Sequence, residues 1–147
     1  MRKDMGDLIS IYALDLVEVS SNEVLLRSST YTIDVVADRD GVSFIYFDTT
    51  LTPVKGYNIF LFLVGKRRDK LAFAKSKQAA KSYSDFLESQ VRSLSRHLHG
   101  AGQDILSGSK EWIQSYSWPA ISAASEIADL ILCSSDCGEC LRDCVGR

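Results

Sequence analysis

The side chains of this sequence that could do chemistry are four cysteines, two histidines, a set of aspartates and a run of lysine and arginine. Cys133, Cys137, Cys140 and Cys144 stand in a C-x₃-C-x₂-C-x₃-C pattern. Four thiolates can complete a tetrahedral zinc site or ligate an iron–sulfur cluster. Zinc modules usually bring two close pairs together across a longer loop, whereas these four are strung along one short stretch. On a helix their spacing puts all the sulfurs on one stripe, and free cysteine behaves as a small buried hydrophobe. The stripe is therefore expected to pack, with local disulfides and a metal as the alternatives, and no cofactor is expected. His97 and His99 are two apart, so on a helix they point to different sides and cannot converge on one ion; they read as cations near a helix C-terminus.

The first three cysteines, C-x₃-C-x₂-C, resemble the cluster-binding motif of radical-SAM enzymes. That resemblance implies an iron–sulfur cluster near the start of a long barrel, and here the motif comes late in a chain of 147 residues. Asp34, Asp38, Asp40 and Asp48 could serve as paired carboxylates, but there is no calcium loop, no phosphate-binding glycine pattern and no nucleophile elbow. Their expected role is solubility, or a negative surface that steers toward a basic partner. Lys66, Arg67, Arg68 and Lys70, followed by Lys75, Lys77 and Lys81, make a basic stretch with Phe73 and Tyr83 nearby. Such a stretch can meet phosphates while its aromatics stack on bases. No RRM, KH or zinc-finger signature accompanies it, so a solvated basic face is the simpler reading and nucleic-acid binding the alternative. Trp112, Tyr116 and Trp118 read as core plugs or interface anchors.

The elements that must position these groups change character along the chain. Apolar residues first recur at every second position, with turn-forming residues between the runs. Asp15 to Val19 and Glu23 to Arg27 pair around Ser21-Asn22. Tyr31, Ile33, Val35 and Ala37 share one strand face; Thr32, Asp34, Val36 and Asp38 share the other, which is half-polar and suited to solvent. Asp40-Gly41 suits a tight hairpin, and Val42 to Asp48 supplies the returning strand. Residues 5 to 14 fit either a strand extension or a short leading helix. Thr49 to Gly56 reads as a loop. Tyr57 to Val64 is apolar on both faces, which suggests a central strand and leaves a buried helix open.

From about Lys77 the period becomes helical: Ala80, Tyr83, Leu87, Val91, Leu94 and Leu98 lie three and four apart, and Gly100 offers a stop. Leu71 to Ala74 fits a short edge strand or the beginning of that helix. Gln103 to Leu106 fits a short helical turn. Pro119 should break any helix begun around Lys110 to Ser115, and Ile121 to Leu132 can form a last helix. Strands first and helices later define an α+β class: an N-terminal antiparallel sheet of about 4–6 strands packed by C-terminal helices. Residues 1–132 form one domain, and 133–147 are a Cys-rich tail or helix extension.

Composition narrows the function classes. With 46% hydrophobic and 24% charged residues and only 2 prolines, the chain is neither disordered nor fibrous. The longest apolar run, Ile59 to Val64, is six residues, against the roughly 20 needed to span a bilayer as a helix, so no membrane is expected. The apolar run behind the N-terminus is broken by Ser10 and Asp15, so no secretory leader is expected either. Cysteines confined to residues 133–144 cannot staple the fold, which fits a reducing cytoplasm. The net charge of -2 averages over unlike parts: residues 66–100 are net basic and both flanking segments net acidic.

In overall plan the chain resembles small bacterial immunity proteins. The residues behind this are the hairpin Ile33 to Asp48 and the segment Gln103-Asp104-Ile105-Leu106-Ser107-Gly108 followed by Trp112. The resemblance implies a non-enzymatic module that occludes a cognate toxin domain, with acidic residues imitating the phosphates expected by a basic groove; Asp34, Asp38 and Asp48 are the candidate contacts. The alternatives are a nucleic-acid-binding accessory protein using Lys66, Arg67, Arg68 and Lys70, and a metal-binding protein using the four cysteines.

Overall fold

The computed structural model describes residues 5–51, 53–71 and 82–122. Its centre is a six-stranded antiparallel meander: β1 (Asp15–Ser20), β2 (Glu23–Arg27), β3 (Tyr31–Asp38), β4 (Gly41–Asp48), β5 (Lys55–Asn58) and β6 (Ile121–Ser122), each strand bonded to the next. Helix α1 (Gly6–Tyr12) precedes the sheet, α2 (Ile59–Lys66) leaves β5 directly, and α3 (Tyr83–Ala101) and α4 (Gln103–Leu106) follow. Two 3₁₀ turns, Arg68–Lys70 and Glu111–Ser115, complete the described elements. The expected α+β plan holds.

The two-residue period of the strands sorts their side chains onto two faces. The inner face carries Val24, Leu26, Tyr31, Ile33, Val35, Phe44, Tyr46 and Tyr57, and these form one core with Leu8, Ile59, Phe62, Leu63, Val91, Leu98, Ile105 and Trp112 from the helical elements. On the outer face Leu25 and Phe47 are buried, with Val17, Val19, Ile45 and Val54 packed against them. Thr32 and Asp34 on that face are buried too. The alternation of β3 was therefore legible, but the face that looked solvated is not.

The β3–β4 turn falls one residue earlier than the Asp40-Gly41 pair suggests. Asp38 pairs with Gly41, so Arg39 and Asp40 form the loop, and Asp38 Oδ1 accepts the Asp40 N–H at 2.8 Å. Of the residues from Asp38 to Gly41, Gly41 alone takes positive φ (131°). A Cβ there would lie 2.3 Å from Gln90 Oε1 of α3, so glycine serves both the turn and the approach of the helix.

Tyr57 to Val64 is the main departure from the strand reading. Tyr57 and Asn58 end β5, and Asn58 Oδ1 then accepts the Leu61 N–H at 3.1 Å, capping a helix that runs from Ile59. Apolar residues all round hide the period, and the capping asparagine is what separates the two elements. Residues 5 to 14 resolve as α1, which buries Leu8. In α3, Ser82 Oγ caps the Asp85 N–H at 3.1 Å, and the helix passes Gly100 to end at Ala101, where the Gly102 N–H bonds Leu98 O at 2.8 Å. Glu111–Ser115 is a 3₁₀ turn, and Ile121 pairs with Gly56 as part of β6 instead of opening a helix. Residues 72–81 and 123–147 lie outside the described residues, and with them the expected start of α3 near Lys77, most of the segment Ile121 to Leu132 and the four cysteines.

Candidate functional site

Asp48 ends β4 and is 3% exposed. Lys110, beyond α4, reaches it: Nζ donates to Asp48 Oδ1 at 2.8 Å, to Tyr46 Oη at 3.1 Å and to the Thr30 carbonyl at 3.0 Å. An ammonium has three protons to donate, and three acceptors surround this one. Asp48 Oδ1 also accepts from the Thr50 N–H at 2.9 Å and the Thr50 hydroxyl at 2.5 Å. Burial pushes the Asp48 carboxyl up, but the hydrogen bonds from Lys110 and Thr50 and the ammonium's charge outweigh it and hold the pKa below its ordinary value. Beside this clasp, Tyr31 Oη donates to the Leu106 carbonyl at 2.6 Å. Burial pushes the Tyr31 and Tyr46 phenols well up, so neither is an available phenolate. The cluster ties the helical half to the hairpin.

Asp34 lies mid-strand on β3, 4% exposed, between Leu25 on β2 and Ile45 on β4. Burial, then a hydrogen bond to Glu23 and that residue's charge, push the Asp34 carboxyl up to about 8. Its Oδ1 meets no donor among the described residues. Burial and the acidic neighbour both favour its protonated form.

Asp38, the third candidate, is exposed at the end of β3. The hairpin tip it ends meets α3 through Tyr83 and through two residues that sequence reasoning missed, Gln90 and Phe86. Tyr83 Oη donates to the Asp38 carbonyl, Gln90 Oε1 accepts the Val42 N–H at 2.8 Å, and the rings of Tyr83 and Phe86 lie 6.3 Å apart. These contacts set the first two turns of α3 against the hairpin tip. The apolar stripe of α3 outruns the sheet there: Tyr83 is 53% and Phe86 37% exposed, whereas Val91 and Leu98 are buried. Asp38 and Asp40 of the turn and Asp85 and Glu88 of the first turns of α3 are all exposed, with Arg39 the one cation of the turn. The i, i+3 spacing of Tyr83 and Phe86 was the available signal, but their exposure depends on where the sheet stops.

The basic stretch divides. Arg67 makes a bidentate pair with Asp104 (2.6 and 2.8 Å), donates to the Ala101 carbonyl at 2.7 Å and lies 4.9 Å from the centre of the Phe62 ring. The hydrogen bond from Arg67, opposed by burial, holds the Asp104 carboxyl below its ordinary range. Lys66, Arg68 and Lys70 are exposed. Lys75, Lys77 and Lys81 lie outside the described residues.

His97 packs 6.3 Å from Phe60, and burial, helped by Arg96, lowers its pKa; His99 Nδ1 lies 3.4 Å from Tyr12 Oη. The two imidazoles serve different contacts, as their spacing requires. Trp112 is buried edge-on to Tyr46 (5.1 Å) and Tyr57 (5.9 Å), with Tyr116 and Trp118 continuing the cluster half-buried. Trp118 lies over Gly65, where a Cβ would come within 2.3 Å of the indole. The aromatic trio thus plugs the core side. Among the described residues no group of three or more His, Cys, Asp or Glu is placed to hold a metal ion, and no helix is long and apolar enough to cross a membrane. Comparison with known protein families, with curated proteins and with solved structures gives no match.

Proposed function

We propose that the protein is a non-enzymatic protein-binding module whose partner docks on the ridge formed by the β3–β4 tip and the first two turns of α3. The observation that carries this is the pairing of two exposed aromatic rings, Tyr83 and Phe86, with the exposed carboxylates of Asp38, Asp40, Asp85 and Glu88. Aromatic side chains set among polar groups are the usual anchors of protein interfaces, and a mainly acidic rim speeds encounter with an oppositely charged surface. The partner is accordingly a basic protein surface with an apolar slot.

The specific form proposed is an immunity-type protein that covers the substrate groove of a cognate cytoplasmic toxin domain. Of the three aspartates first considered, Asp38 is exposed, which supports it as the partner contact; Asp34 and Asp48 are buried. For nucleic-acid binding the described part of the basic stretch offers Lys66, Arg68 and Lys70, with Arg67 engaged by Asp104.

Affinity purification of the tagged chain from its native host, with mass spectrometry of what co-purifies, tests the proposal. One near-stoichiometric protein is expected on the wild type and lost from a Tyr83→Ser, Phe86→Ser double variant, and its toxicity should be relieved by the wild-type chain alone. Equal retention by both forms, or nuclease-sensitive retention of RNA or DNA in place of a protein, sinks it.

A further inference from the structure

The described α-helices all contribute to the core on the inner face of the sheet. A sheet packed on one side alone leaves its other side to water. Here the outer face is closed as well: Leu25, Arg27, Thr32, Asp34 and Phe47 are each less than a tenth exposed within the single chain. Among the described residues the apolar neighbours of Leu25 and Phe47 are Val17, Val19, Ile45 and Val54, from the sheet and the loop before β5, and none comes from a helix. We propose that residues 123–147 form the second layer: this segment of the same chain crosses the outer face as a helix from β6 toward β2, with its cysteine stripe turned to the sheet.

The pairing register gives the place and the direction. Arg27, Thr32, Phe47, Gly56 and Ile121 are partners in turn from β2 to β6, and so make one row over the outer face. The first four are buried and Ile121 is the exposed end. The closed row therefore begins at the edge where residue 122 leaves the sheet. The other segments outside the described residues adjoin the opposite side: residues 72–81 join Leu71 to α3 and residues 1–4 precede Met5, and Leu71, Val91 and Met5 all lie in the inner core. From β6 to β2 is four strand spacings, about 19 Å, which a helix covers in about thirteen residues. The segment 123–147 has 25. Its sequence supplies a sided helix, with Leu130, Cys133, Cys137, Cys140 and Cys144 three and four apart. Such a stripe offers small apolar groups to Leu25 and Phe47. Spread over about 16 Å of helix, the same sulfurs cannot share a zinc ion at about 2.3 Å each. Packing and a four-thiolate site exclude each other, and burial of the outer face favours packing.

NMR of the whole chain with labelled methyl groups and aromatic rings, joined to metal analysis of the same sample, tests this. Through-space cross-peaks are expected from the Leu25 methyls and the Phe47 ring to Leu130, Cys133 and Cys137, with no stoichiometric zinc. In a Leu130→Asp, Cys137→Asp double variant those cross-peaks should be lost, and a soluble paramagnetic chelate should broaden Leu25 and Phe47 while sparing Tyr31 and Ile33 of the inner core. If that variant does not fold, the wild-type cross-peaks decide alone. Their absence, cross-peaks from Leu25 and Phe47 to residues 72–81 in their place, broadening of these two residues in the wild type, or stoichiometric zinc held by the four thiols overturns the proposal. The ridge of Tyr83 and Phe86 takes no part in these measurements, so their outcome is separate from that of the partner search.

Discussion

Two carboxyl groups on neighbouring strands, Asp34 on β3 and Asp48 on β4, are almost equally hidden from water, at 4% and 3% exposure. Their charge states differ because their neighbours do. Asp48 closes the hairpin base beside an ammonium and two donors from Thr50, and stays ionised. Asp34 sits on the outer face beside another acid, between Leu25 and Ile45, and keeps its proton. Burial raises the pKa in both places, so what decides the outcome is whether a cation or an anion comes within hydrogen-bonding reach. One region uses a buried charge as a clasp; the other tolerates a buried acid only in its neutral form.

The comparison breaks most visibly at Lys110. Lys110→Met removes the cation and leaves Asp48 as an uncompensated buried carboxylate, and chemical denaturation should show a loss of about 3 kcal/mol at neutral pH. Asp34→Asn acts in the opposite direction. An amide fills the same space without an ionisation penalty, so at pH 7 and above this variant should be more stable than the wild type by about 2 kcal/mol.

A denaturation series against pH sharpens the contrast, because the two acids are linked to folding with opposite signs. The Asp34 pKa is raised on folding, so its contribution is fully present below the unfolded value near 3.9 and is lost as pH rises toward about 8. The Asp48 pKa is lowered, so its contribution is present above the unfolded value and is lost as pH falls through the folded one. Wild-type stability should therefore pass through a maximum on the acid side of neutrality. Asp34→Asn should flatten the alkaline limb alone.

Smaller effects are expected at the surface. Arg67→Lys keeps the charge but loses the planar fork that grips Asp104 and the stacking on Phe62, and it should cost about 1 kcal/mol by denaturation, moderated by solvent at a half-exposed pair. Replacing Tyr83 and Phe86 by serine should change stability by less than about 1 kcal/mol, because neither ring is in the buried core. Partner retention should nonetheless fall at least about tenfold.

Much of the sheet could be read along the chain. The alternation of β3 and β4 and the helical period from Tyr83 to Leu98 are local patterns, fixed by strand pleat and helix pitch, and they reappear as written, whereas the turn falls one residue before the Asp-Gly pair and the helix runs past Gly100. The Tyr57 to Val64 segment was misread as mainly strand because a run apolar on every side has no period; Asn58 marks the helix start, but a single capping residue is a faint signal. The candidate site was less legible. Asp34, Asp38 and Asp48 look alike on paper, and one became a neutral buried acid, one a clasp and one a surface group. Lys110 attracted no notice, being 62 residues from the carboxylate it holds.

The order of polar and apolar side chains determined by itself that this chain makes an antiparallel sheet followed by helices, since backbone geometry converts a period of two or of three to four into one buried face. It also determined that the two histidines cannot share an ion. Which acids keep their protons, which arginine of the basic run is engaged and where the stripe of α3 outruns its support were decided only by the tertiary structure. The charge of a buried group depends on the groups brought within a few ångströms of it, and those come from strands and helices far away in the chain.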